Sequence, residues 1–128
     1  MKQITGLVGC LAAFIGVALG AFGAHALKSR LAEAGMTDVW QTAVDYQMWH
    51  ALALLLCAAV TRGGVMRSVA TSFFAIGIVL FCGSLYWLAL DGPRWLGPIT
   101  PLGGLSFMLG WLCLGVGFIR AKAPESAC

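Results

Sequence analysis

Side chains able to carry acid–base, metal or redox chemistry are few in this sequence: two histidines, two tyrosines and five cysteines among 128 residues. His25 and His50 offer the most, because two imidazoles on neighbouring helices can ligate a haem or a metal. Nothing in their spacing specifies either group, and a third ligand is not evident, so no metal ligand, cofactor or cofactor-binding residue is assigned. Tyr46 stands four residues before His50 and shares its helix face. Gln47, Ser84, Tyr86 and Thr100 complete a candidate polar cluster with His25, Tyr46 and His50. Ser84 has no base at a diagnostic spacing and no cysteine sits in an activating motif, so no catalytic residue is assigned and an enzyme is not the expectation.

Cys10, Cys57, Cys82, Cys113 and Cys128 form no C-x-x-C pair, and four of them lie inside apolar runs. Zinc sites and secreted disulfide frameworks use tighter or loop-borne spacing. These thiols read as small apolar filler between helices.

The elements that must position the cluster follow from composition. Hydrophobic residues make up 60% of the chain and charged residues 10%. A soluble domain carries roughly 25% charged residues to solvate its surface. A net charge of +3 is too small and scattered for nucleic-acid binding, which needs a dense basic face. Lipid is the solvent this chain fits, because a helix satisfies its own backbone there. Uncharged runs predict spans at about 4–27, 68–90 and 102–119, each long enough for roughly 30 Å of hydrocarbon. Pro98 and Pro101 are expected to keep the segment before Leu102 out of regular helix.

A further span at about 44–61 is weaker, since it takes in Asp45, Gln47 and His50. It is expected to continue an amphipathic stretch over about 28–43, containing Leu31, Val39 and Trp40, that lies at the outer surface. Asp38 followed by Gln41 resembles a capping box there. Short Gly- and Pro-rich turns link the spans, at Arg62-Gly63-Gly64 and again from Asp91 to Pro101. No domain boundary or repeat interrupts the single unit.

Charge bias orients the chain. With four spans, Lys2, Arg62, Arg67, Arg120 and Lys122 share one side and Lys28, Arg30 and Arg94 the other, five against three. That puts both termini in the cytoplasm by the positive-inside rule. Removing the weak span makes the split six against two and moves the N-terminus outside, so the rule alone prefers three spans. Four spans gain support from Trp40, Trp49, Trp87 and Trp95, which would then all lie near the outer interface. The run ending Leu7-Val8-Gly9-Cys10 resembles a lipoprotein cleavage site. The apolar stretch before Cys10 is shorter than the roughly 7–15 residues of a signal core, and cleavage is not expected.

Lipid tails give apolar helices no reason to pair, so close packing of small residues must do it. Gly16 and Gly20 form a G-x-x-x-G pair that Ala24 continues at the same spacing, with Gly23 beside it. The partner could be another span of this chain or a second copy. Replacing Gly20 by Leu is expected to weaken the bundle or its oligomer.

The motifs Gly20-Ala21-Phe22-Gly23-Ala24-His25, Tyr46-Gln47, His50-Ala51-Leu52-Ala53, Gly83-Ser84-Leu85-Tyr86 and Ile99-Thr100-Pro101-Leu102-Gly103-Gly104, with Trp40, resemble the domain of unknown function 423 family. These are small bacterial inner-membrane proteins with eukaryotic relatives. The resemblance covers nearly the whole chain. It implies four membrane helices and no assigned activity. It supplies no ligand or catalytic residues, but its motifs coincide with the polar cluster.

The expected fold is thus all-α, an integral membrane four-helix bundle with short loops and cytoplasmic termini. The expected location is the bacterial inner membrane, crossed several times. Its partners are the lipid bilayer and a homo-oligomer or larger membrane complex. Three functional readings stay open: a structural or accessory protein acting through helix association, a small transporter or channel, and a haem- or metal-binding redox protein using His25 and His50.

Overall fold

The computed structural model describes residues 2–60 and 64–121, which form helices joined by short turns. Among the described residues there is no strand. Six α-helices follow in order: α1 (Lys2–Ala24), α2 (Lys28–Glu33), α3 (Thr37–Val60), α4 (Val65–Gly77), α5 (Gly83–Ala89) and α6 (Ile99–Ala121). A π-helical turn, Ile78–Cys82, carries α4 into α5 without a break, and a short 3-10 turn, Arg94–Leu96, precedes α6. Among the described residues, three stretches are long and apolar enough to cross a membrane: Lys2–Ala24, Val65–Ala89 and Arg94–Arg120. α3 is as long as α1 but carries Asp38, Gln41, Asp45, Gln47 and His50, and is not among them.

α1 packs chiefly on α3, and α4 on α6. α3 also touches α4, the π turn and α5, so it joins the two pairs. α1 and α3 run antiparallel: Gly6 faces Ala58 at one end and Gly23 faces Trp40 at the other. The main core gathers Leu54 and Cys57 of α3, Phe74 of α4, Cys82 of the π turn, and Phe107 and Leu114 of α6. A second core, near α2, holds Leu31, Trp40, Val44 and Ala89. Large apolar side chains also cover the outside, among them Phe14 (73% exposed), Met108 (64%) and Leu112 (67%). Acyl chains can solvate such a surface, and the interior of each helix satisfies its own backbone hydrogen bonds.

The glycines show how the pairs close. α3 comes nearest to α1 at Gly9, Gly16 and Gly23, seven residues apart. A Cβ at Gly9 would meet Leu55 at 3.0 Å, one at Gly16 would meet Met48 at 2.7 Å, and one at Gly23 would fall on the Trp40 indole. At Gly20 the same atom would be 3.3 Å from Val44, a milder approach, and Ala24 is exposed. α4 and the π turn instead exchange large and small residues with α6 in register. Gly103 faces the Phe81 backbone, with Cα 2.8 Å from an added Cβ. Phe107 fills the space at Gly77, and Gly110 takes Phe74 at 2.7 Å.

Several local expectations change. The segment 28–43 is not one amphipathic element: α2 ends in a left-handed Gly35 (φ 66°), and α3 begins at Thr37. Asp38 and Gln41 form no capping box. Both lie inside α3, where Gln41 Nε2 donates to Asp45 Oδ1 at 2.8 Å. α6 starts at Ile99, ahead of Pro101, because a first-turn proline gives up only an N–H that lacks a helical partner anyway. Trp40 is not an exposed interfacial ring: it is 3% exposed and packed against α1. The turn at Arg62-Gly63, Lys122 and Cys128 lie outside the described residues.

Candidate functional site

His50 lies in the middle of α3 and is 4% exposed. Its Nδ1 is 2.7 Å from the Tyr46 carbonyl, one helical turn earlier. A carbonyl only accepts, so Nδ1 carries the proton and donates. Nε2, left with its lone pair, accepts from the Trp111 indole N–H of α6 at 3.1 Å. Both ring nitrogens are thereby engaged in a neutral imidazole. One face of the ring lies on Phe107, with centroids 3.4 Å apart and planes 10° from parallel. Tyr46 sits 4.6 Å from Phe81, and Phe74 meets Trp111 edge-on at 5.2 Å. An aromatic cluster built from α3, α4, the π turn and α6 therefore surrounds the histidine.

The other candidates go elsewhere. Gln47 turns to α1, where its Nε2 donates to the Ala12 carbonyl at 2.9 Å. Trp40, seven residues earlier, donates its indole N–H to the Leu19 carbonyl at the same distance. In a helix the carbonyl of Ala12 faces residue 16 and that of Leu19 faces residue 23. Both positions are glycine, so no Cβ obstructs the approach. Ser84 of α5 and Thr100 of α6 share a hydrogen bond of 2.7 Å, and Ser84 Oγ also donates to the Phe81 carbonyl at 3.0 Å. Tyr86 meets Trp40 edge-on at 4.8 Å, and its hydroxyl is buried with no hydrogen-bond partner among the described residues.

His25 does not join His50. It is exposed in the turn after α1, two residues beyond the Gly23–Trp40 contact. Trp40 and His50 are ten residues, or about 15 Å, apart along α3. A haem or metal held between the two histidines finds no geometry here, and ligation by His50 would break one of its hydrogen bonds. Among the described residues no three His, Cys, Asp or Glu side chains come together. Cys57 and Cys82 are buried thiols, and Cys10 is exposed. Rather than one site, the six cluster residues other than His25 form several interhelical contacts.

Residues that the pattern of polar groups did not flag complete these contacts. Trp111 and Phe107 hold His50. Ser106 Oγ donates across to the Phe73 carbonyl at 2.7 Å, and Thr5 approaches Thr71 at 3.5 Å between α1 and α4. Nothing in the local sequence distinguishes Trp111 from a lipid-facing tryptophan. The seven-residue spacing of Gly9, Gly16 and Gly23, by contrast, is visible in the sequence.

Two grooves flank α3. One, of about 480 Å³, runs between α1 and the α4–α5 helix and is bordered by Leu11, Ile15, Leu19, Ile78 and Val79, with Gln47 and Tyr86. The other, of about 570 Å³, lies between α3 and α6 and is bordered by Tyr46, Trp49, His50, Phe81, Phe107 and Trp111. Outside the grooves, Arg30 and Asp91 pair at 3.0 Å, tying α2 to the turn after α5.

A family described as "Protein of unknown function (DUF423)" matches residues 19–104, a range that includes all seven cluster positions and excludes Trp111. Over 114 residues the chain is 45% identical to the UPF0382 inner membrane protein YgdD of Escherichia coli K12, covering 88% of this chain and 86% of that protein. It is 44% identical over 116 residues to a UPF0382 membrane protein of Staphylococcus saprophyticus, covering 89% and 95%. A UPF0382 membrane protein of Staphylococcus epidermidis is 41% identical over 115 residues, covering 89% and 93%. No solved structure matches.

Proposed function

The chain belongs to the DUF423 family of membrane proteins of unknown function, and we propose that it is a four-span protein of the bacterial inner membrane with a structural or accessory role. In this reading α3 is the fourth span and the four long helices form one bundle with both termini in the cytoplasm. The support is its pairing with α1. The two helices touch from Gly6–Ala58 to Gly23–Trp40, about 25 Å at 1.5 Å per residue. A helix alongside a spanning helix for that distance shares its depth in the bilayer. The polar side chains that lower the hydropathy of α3 are tolerable at that depth because neighbours satisfy them: Gln47 through Ala12 and His50 through Tyr46 and Trp111.

The observation that carries the accessory role is this internal use of polar groups. Gln47, His50, Ser84, Thr100 and Ser106 hydrogen-bond between helices or to helix carbonyls, while the outer faces carry large apolar side chains. Such a chain is equipped to hold its own helices in register and to meet other apolar helices laterally. The G-x-x-x-G pair, Gly16 and Gly20, with Gly23 contributes inside this bundle, on the face toward α3. Chemical cross-linking in native membranes followed by affinity purification tests the role. Recovery with a second copy or with other membrane proteins is expected; recovery as a lone monomer, cross-linked to nothing, contradicts it.

A further inference from the structure

We propose that the groove between α3 and α6 binds the ring of a lipid-soluble quinone. Its volume of about 570 Å³ falls within the roughly 300–1,000 Å³ typical of small-molecule sites. Its walls are flat: Tyr46, Trp49, Phe81, Phe107 and Trp111 border it together with the imidazole of His50. Flat, electron-rich walls favour a planar, electron-poor ring, which gains from offset or edge-on contact with each neighbour. A saturated acyl chain gains none of that directional attraction. The aliphatic groove on the other side of α3 suits such a chain better, so ring and chain have different places on one molecule.

The rim gives the route of entry. Trp49 (55% exposed), Leu105 (52%), Met108 (64%) and Trp111 (46%) border the groove and face outward, where the bilayer would lie. A ligand therefore arrives laterally from lipid, which requires a lipid-soluble molecule. Tyr46 and Trp49, whose side chains each carry a hydrogen-bond donor, are among the residues that border the groove. The bilayer core supplies no water to satisfy such donors, so a carbonyl-bearing ring is favoured over a pure hydrocarbon one. His50 offers no free nitrogen, because Tyr46 and Trp111 hold both, and one face of its ring is already covered by Phe107. That feature points away from metal and haem and leaves the more exposed rings of the rim to meet the ligand. The binding is independent of the accessory role and tested separately from it.

The test uses the full chain in phosphatidylcholine nanodiscs, titrated with decylubiquinone while tryptophan fluorescence is read. Saturable quenching is expected. Gly104→Leu blocks the groove with little strain, since a Cβ there is 3.7 Å from Phe81, an ordinary contact. It should weaken binding at least about tenfold, the loss of one or two ring contacts, without lowering the unfolding temperature. Tyr46→Phe should weaken it several-fold while quenching stays saturable. If Gly104→Leu does not fold, Leu105→Trp at the rim replaces it in the same comparison. Quenching that rises linearly without saturation, or equal affinity in the wild type and the groove-filling variant, overturns the proposal. So does equal competition by a phospholipid with brominated acyl chains, which would make the occupant a chain and not a ring.

Discussion

The α1–α3 and α4–α6 interfaces are both long helix contacts with glycines seven residues apart, yet different forces close them. Across α1–α3, side chains on one helix reach carbonyls on the other: Gln47 to Ala12 and Trp40 to Leu19, each past a glycine. Across α4–α6, and from the π turn that continues α4, rings fill gaps: Phe81 against Gly103, Phe107 against Gly77 and Phe74 against Gly110. Ser106 adds a single reach to the Phe73 carbonyl. Lipid gives neither pair a hydrophobic reason to associate, so each needs contacts that lipid cannot offer. The polar solution has a consequence the steric one lacks. It places Gln47 in α3 and so lowers the hydropathy of the helix that the four-span proposal sets across the membrane.

The comparison can be broken at either interface. The largest loss should come from Gly103→Leu, because the new side chain meets backbone at Phe81, which cannot step aside as a flexible side chain can. About 3 kcal/mol or more is expected, read as a lowered midpoint in detergent unfolding. Gly23→Leu comes next, at about 2–3 kcal/mol, since it displaces the Trp40 ring and with it the bond to Leu19. Gly20→Ala, one turn away and facing only Val44 at 3.3 Å, should cost about 1 kcal/mol or less. An equal loss at Gly20 and Gly23 would show that the four-residue spacing, not the seven-residue one, governs the contact.

Smaller effects sharpen the picture. Trp111→Phe keeps a ring beside Phe74 but leaves His50 Nε2 without its donor, costing about 1–2 kcal/mol. A nitrogen NMR spectrum of His50 should show the Nδ1–H tautomer in the wild type; an Nε2–H tautomer would refute the bond assignment. Gln47→Leu should cost about 0.6–1.7 kcal/mol, the range for one interhelical hydrogen bond in a membrane. Arg30→Ala should cost less than about 0.5 kcal/mol, because both partners of the Arg30–Asp91 pair are solvent-exposed.

Much of the helical content could be read directly. Uncharged runs mark α1, the α4–α5 helix and most of α6, because a span must avoid charge along its length. The start of α6 was less legible: Pro98 and Pro101 signal a break, but a proline in the first helical turn costs no hydrogen bond. Gly16, Gly20 and Gly23 stand out in α1, although composition alone does not say which one the neighbouring helix approaches most closely. His50 and Gln47 stand out as polar residues in apolar surroundings. Their partners do not, since the Ala12 carbonyl is backbone and Trp111 is one tryptophan among five. The pairing of His25 with His50 failed because shared chemistry says nothing about depth along an antiparallel helix pair.

The four-span architecture requires α3 to lie across the bilayer beside α1. Reporter fusions at each terminus, one active only in the cytoplasm and one active only outside it, test that directly. With four spans, both ends report cytoplasmic. An N-terminal fusion that reports outside while the C-terminal fusion reports inside would mean three crossings, and the bonds from α3 to α1 and α6 could not form at membrane depth.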